Sequence, residues 1–120
     1  MIVMGLVLWI DHNTFATSLI EKVFKKRSLP FYTINSVEDF SYLVDDLNPS
    51  LIVLDGETFS KNREVFLEQY INSAKMQNLP FILLDPQSDF SFLKNKIGEI
   101  RKPLEPFDLP EVLRKIVSAN

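Results

Sequence analysis

The stretch LIVLDGETF, residues Leu51 to Phe59, decides the fold. Four large aliphatic residues run without a polar interruption and stop at Asp55. A half-exposed strand alternates apolar and polar residues, whereas a continuous apolar run fits a strand covered on both faces, the usual state in a parallel sheet. Leu6–Ile10, within the opening MIVMGLVLWI, and Phe81–Leu84, within FILLDPQ, read the same way, and each is followed by an aspartate, Asp11 and Asp85. Weaker runs at Phe31–Ile34 and around Ile100 bring the expected strands to five.

Between these runs the apolar residues take helical spacing. Phe15, Leu19, Ile20, Val23 and Phe24 form one stripe over residues 14–27; Val37, Phe40, Leu43, Val44 and Leu47 form another over 36–47. A third, over 63–77, includes Phe66, Leu67, Tyr70, Ile71 and Ala74. A shorter helix is expected to hold Phe90, Leu93 and Ile97, and a last one holds Leu109, Val112, Leu113, Ile116 and Val117. Pro30, Pro49 and Pro80 each precede an apolar run, where a helix has to have ended. Asp108 with Glu111 resembles a capping box, and Pro110 is tolerated in a helix's first turn. Strict alternation of strand and helix implies a doubly wound α/β sandwich with right-handed crossovers. No linker, repeat or composition shift interrupts the 120 residues, so one domain over residues 1–120 is expected.

Composition narrows the function. A hydrophobic share of 46% supports a substantial core, and a net charge of −3 gives no general drive toward nucleic acid or an anionic membrane. Without cysteine there is neither a disulfide framework nor a thiolate metal site, which fits the cytoplasm. The apolar opening is too short for a bilayer span of about 20 residues, and it lacks the basic leader and cleavage pattern of a secretory signal.

In open α/β sheets the working site lies beyond the carboxyl ends of the strands. Those ends carry Asp11 and His12, then Asp55, then Asp85, then Lys102 and Pro103 in RKPLEPF. Any one of these is an ordinary polar residue at a strand end. Together they set a lysine opposite several carboxylates. On this pattern the sequence resembles the receiver domains of bacterial two-component response regulators. The likeness runs from about Leu6 to Val117 and rests on NPSLIVLD and KPLEPFDLPEVLRKI.

That resemblance implies a flavodoxin-like, five-stranded parallel sheet in the order 2-1-3-4-5. It puts Asp55 at the phosphoacceptor position, Lys102 at the phosphate-site lysine, and a cis peptide before Pro103. It implies Mg²⁺ held by Asp11, Asp55 and the backbone carbonyl of Glu57, since a hard cation prefers oxygen ligands. The expected partners are a histidine kinase or phosphotransfer protein, or another signalling protein, with a homodimer through the last helices left open. Nucleic acid and membrane are not expected as partners, nor is enzymatic turnover.

Three positions depart from the family pattern. His12 replaces the second member of the acid pair, and nitrogen suits Zn²⁺ better than Mg²⁺, so Mg²⁺ affinity should fall. Asp85 stands where a Ser or Thr would bond the phosphoryl group. A carboxylate there repels a phosphate about 4 Å away by roughly 4 kcal/mol at an effective dielectric near 20. Asp85 is instead expected to pair with Lys102, imitating in the resting protein part of the contact that phosphorylation normally creates. Glu99 stands where an aromatic residue usually reports the switch, and Pro86 stiffens the neighbouring loop. The expectation is an atypical receiver with weak or absent phosphorylation that signals through protein contact. The alternatives are a fully functional phosphoacceptor and, more distantly, a flavodoxin-like small-ligand domain. The last is disfavoured because the loop HNTFATS has no glycine to let backbone N–H groups surround a phosphate.

Overall fold

Three strands without polar interruption can be satisfied only by a sheet buried on both sides, and such a sheet forms. The computed structural model describes residues 4–120. Residues 1–3, at the start of the apolar opening and of the expected domain, lie outside the described residues. Strands β1 (Val7–Ile10), β2 (Phe31–Ile34), β3 (Leu51–Asp55), β4 (Phe81–Leu84) and β5 (Lys96–Ile100) form one parallel sheet, ordered β2-β1-β3-β4-β5.

Successive residues point to opposite faces. Leu8, Ile10, Ile52, Leu54, Phe81 and Leu83 face one core, where they meet Phe40 of helix α2 (Phe40–Leu47). Three helical pieces follow β3 on this side: α3 (Gly56–Lys61), α4 (Arg63–Ile71) and α5 (Ala74–Gln77). They supply Phe59, Phe66 and Met76. Val7, Trp9, Leu51, Val53, Ile82 and Leu84 face the other core, against Ile20 and Phe24 of α1 (Thr14–Lys26) and Leu113 and Val117 of α6 (Leu109–Ser118). This two-sided burial is why β1, β3 and β4 carry no polar residue before their last position. Phe66 anchors the first core, with ring centroids 5.3–6.3 Å from Phe40, Phe59, Tyr70, Phe81 and Phe92.

Several local expectations are corrected. The single helix over 63–77 is two helices, divided at Asn72 and Ser73, with the Ser73 hydroxyl accepting from the Met76 N–H to cap α5. The expected helix around Phe90, Leu93 and Ile97 does not form. Ile97 belongs to β5, while Phe90 and Leu93 reach the core from irregular chain between β4 and β5. Burial of every third or fourth side chain produced the helical spacing there without a helix. On α1 the fully packed side is Thr17, Ile20 and Phe24, leaving Phe15 77% and Leu19 40% exposed. Asp108 makes no side-chain cap, because a 3-10 turn at Pro106–Asp108 feeds straight into α6.

Candidate functional site

The carboxyl ends of β1 and β3 bring Asp11, His12 and Asp55 together, and the chain after β5 adds Lys102. Asp55 is the last residue of β3 and also the N-cap of α3. Its Oδ2 accepts from the Thr58 N–H at 3.0 Å and from the Thr58 hydroxyl at 2.8 Å. Capping by aspartate satisfies an otherwise orphaned N–H and places negative charge at the positive end of the helix. The other oxygen, Oδ1, lies 2.6 Å from Lys102 Nζ in an ion pair. The Lys102–Pro103 peptide is cis, as expected.

Thr58 was not expected at the site. Its hydroxyl has one hydrogen, which it donates to Asp55. It therefore accepts both the His12 backbone N–H, at 2.9 Å, and His12 Nδ1, at 2.7 Å. That accounting puts a hydrogen on Nδ1. His12 Nδ1 also lies 3.4 Å from Asp55 Oδ2 and 4.0 Å from Asp11 Oδ1, while Nε2 is 3.8 Å from Glu57 Oε1. The imidazole thus sits among three carboxylates. Asp11 accepts the Asn13 N–H at 3.0 Å; its Oδ2, the Trp9 indole N–H and Asp55 Oδ1 are all buried without a hydrogen-bond partner.

Burial and charge drive the two buried aspartates in opposite directions. Desolvation pushes the Asp11 carboxyl above the usual carboxylate range, with the nearby Asp55 charge adding to it; the Asn13 N–H and Lys102 only partly offset this. Burial acts the same way on Asp55, but the Lys102 ammonium and the two Thr58 hydrogen bonds together outweigh it and hold Asp55 below that range. On Lys102, desolvation works to lower the pKa, and the Asp55, Asp11 and Glu57 charges win and raise it.

Asp11, His12 and Asp55 each offer a ligand atom, all within 4.8 Å of one another, so the trio has the dimensions of a cation site. The donor set does not fit Mg²⁺. That ion demands near-octahedral oxygen ligands at about 2.0–2.1 Å. His12 Nδ1 carries a hydrogen, Asp55 Oδ1 is paired with Lys102, and Asp55 Oδ2 accepts twice from Thr58.

The expected Asp85–Lys102 pair is not formed. Asp85 takes a left-handed conformation at φ 48° and sends its carboxylate to Arg101 Nη1, 3.6 Å away, leaving Lys102 to Asp55. Its backbone matters more: a Cβ on Gly56 would lie 2.8 Å from the Asp85 carbonyl oxygen and 3.0 Å from Pro86 Cα. Only glycine lets this loop rest on the start of α3. Glu99 lies on edge strand β5 and pairs with Lys96 at 3.2 Å.

This sheet order matches solved structures. The chain superimposes on the chemotaxis response regulator CheY4 of Vibrio cholerae with a TM-score of 0.73, at 14% identity, over 95% of this chain and 99% of that one. A CheY-like receiver domain protein from Methanospirillum hungatei gives 0.77 at 13% identity, covering 98% and 97%. An orphan response regulator of Helicobacter pylori gives 0.70 at 20% identity, covering 94% and 96%. The fold is that of a CheY-like receiver domain. In sequence, the chain is 26% identical over 111 residues to the chemotaxis regulatory protein ChePep of Helicobacter pylori, covering 92% of this chain and spanning 22% of that protein's length. No protein-family model matches. Asp55 closes β3 and Lys102, after β5, lies beside it, and no helix among the described residues is long and apolar enough to cross a membrane.

Proposed function

We propose that the chain is a two-component signalling module that works in the cytoplasm by binding another signalling protein, with Mg²⁺-dependent phosphorylation of Asp55 weak or absent. It is a binding protein rather than an enzyme. One observation carries this reading: Asp55 Oδ2 accepts twice from Thr58, and Oδ1, buried without a hydrogen bond, is held by the Lys102 charge. Phosphoryl transfer requires a carboxylate oxygen free to attack phosphorus, with the developing charge neutralised as the donor's bond breaks. Here the cation-binding acid pair is half replaced by His12, and Asp85 is turned toward Arg101 with no hydroxyl to offer. The likeness to a chemotaxis regulatory protein supports a signalling role.

A second reading, a working phosphoacceptor served by a histidine kinase or phosphotransfer protein, is favoured by Asp55 and Lys102 meeting at one site, as a nucleophile and a charge-neutralising lysine would. Incubation with acetyl phosphate and Mg²⁺, followed by intact-mass measurement, separates the two. The expected result is no gain of a phosphoryl group in the wild type. A substantial gain that disappears in Asp55→Ala would overturn the proposal in favour of the second reading.

A further inference from the structure

His12 presents its two ring nitrogens to different surroundings. Nδ1 points inward, 2.7 Å from the Thr58 hydroxyl oxygen and 3.4 Å from Asp55 Oδ2, and it carries the ring hydrogen. In the neutral ring the lone pair is then on Nε2. That outer nitrogen lies 3.8 Å from Glu57 Oε1. The side chains of His12 and Glu57 are 31% and 60% exposed, so a solute can reach the space between them. Thr58 and Asp55, which pin Nδ1, are both buried. A metal-bound histidine is held in this way. Its second ring N–H is donated to a protein oxygen, which fixes the tautomer and aims the free nitrogen at the ion.

The separation of Nε2 from Glu57 suits an ion better than a direct contact. At 3.8 Å the two atoms are beyond hydrogen-bond reach, and an exposed ion pair of this kind contributes little. Zn²⁺ binds nitrogen and carboxylate oxygen at about 2.0–2.2 Å, so two of its tetrahedral ligands stand about 3.4 Å apart. A small rotation of the exposed Glu57 side chain closes the difference. Its backbone need not follow. Helix α3 is fixed at its start by the Asp55 cap and by the close packing of Gly56 on the Asp85 carbonyl.

We propose that His12 Nε2 and the Glu57 carboxylate form a half-site for a borderline divalent cation of the Zn²⁺ class, on the solvent side of the imidazole. The nitrogen that spoils the inner cluster for Mg²⁺ is what suits this ion. The inner cluster of Asp11, His12 Nδ1 and Asp55 does not take it. An ion there would have to displace the Nδ1 hydrogen and sit beside the Lys102 ammonium, 2.6 Å from Asp55 Oδ1. On the outer side, Thr58 and Asp55 are positioning residues that hold the ring without touching the metal. Two protein ligands are fewer than a resident Zn²⁺ site supplies. The ion is therefore exchangeable, and its remaining positions are open to water or to a donor from a bound protein. The inference does not depend on whether Asp55 accepts a phosphoryl group.

The test is calorimetric titration of the intact chain with Zn²⁺, with ¹⁵N NMR of its single histidine locating the ion. Nε2 should take the metal-bound shift while Nδ1 keeps its hydrogen, and a large excess of Mg²⁺ should not displace the Zn²⁺. His12→Gln should abolish this binding, and Asp11→Asn should hardly change it. Thr58→Val decides the geometry. It should weaken binding about tenfold, because the ring loses the oxygen that aims it, whereas an ion on Nδ1 would bind more tightly once that hydroxyl is gone. Glu57→Gln, an exposed substitution that leaves the fold intact, should weaken binding at least as much. Absence of His12-dependent binding, the ion on Nδ1, loss of binding in Asp11→Asn, or indifference to Glu57→Gln would overturn the proposal.

Discussion

Replacing Lys102 with methionine preserves most of the side chain's length and removes its charge from Asp55. The aspartate is fully buried, and Nζ lies 2.6 Å from its Oδ1. At that separation two unit charges attract by about 6 kcal/mol for an effective dielectric near 20, before desolvation is subtracted. Removing one partner of a buried pair costs about 3–5 kcal/mol, because the other charge is left without compensation. Lys102 is 31% exposed, so water already screens part of the pair, and about 2–3 kcal/mol is the expected penalty at pH 7. For a domain of this size that is a fall in Tm of about 8–12 °C.

The pH dependence fixes the mechanism. In the wild type, the Asp55 pKa is lower in the folded state than in the unfolded state. Its stabilisation is complete above the unfolded value of about 3.9 and is lost as pH falls through the folded value. In Lys102→Met the same carboxylate is buried without its cation, so its folded pKa rises above the unfolded one. The penalty is then full at neutral pH and fades as Asp55 takes up a proton. Urea unfolding followed by the fluorescence of Trp9, the only tryptophan, at pH 7 and stepwise toward pH 4 should show the gap between variant and wild type closing. In an Asp55→Asn background the Lys102→Met penalty should largely disappear. A gap that stays constant across this range, or one unchanged in the Asp55→Asn background, would refute the reasoning.

Carboxyl-carbon NMR titration should place Asp11 above and Asp55 below the ordinary aspartate value; the reverse order, or two coincident titrations, would show that burial rather than Lys102 governs Asp55. Gly56→Ala should cost about 1–3 kcal/mol, because its Cβ meets backbone of Asp85 and Pro86 that cannot step aside. Gly98→Ala meets Ile116 Cγ2 at 2.7 Å, a methyl on the branched β-carbon of a helical residue that cannot readily rotate away, and should cost about 1–3 kcal/mol in the same denaturation assay.

The sheet was readable in the sequence because each buried strand advertises itself locally. Val7–Ile10, Leu51–Leu54 and Phe81–Leu84 need no knowledge of what packs on them. Helix α3 was not readable by apolar period: GETFSK is too short to show one. Its signal is the cap, an aspartate three residues ahead of the Thr58 N–H, which a strand-end aspartate in a site of charged residues masks. The false helix at Phe90–Ile97 arose the opposite way, since its spacing was correct for burial and Pro86 had already broken the chain. The partner of Asp85 was not legible because a left-handed turn at a non-glycine residue leaves no pattern in sequence, and that turn sends its carboxylate to Arg101 instead of Lys102.

Thr58 joins these corrections into one consequence. Because α3 begins directly at Gly56, the third residue after Asp55 returns to the site, and its hydroxyl saturates both Asp55 Oδ2 and the inward nitrogen of His12. The interactions that lower the Asp55 pKa are the ones that withdraw its lone pairs from attack, so what stabilises the carboxylate weakens it as a nucleophile. An acyl phosphate formed at Oδ1 would neutralise the carboxylate whose other oxygen caps α3, and would release Lys102 from its ion pair. Loss of a cap alone costs about 0.5–2 kcal/mol. Phosphorylation would therefore have to overcome the stability of the resting site as well as the missing second acid. Asp55 holds β3, α3 and the segment after β5 to one another.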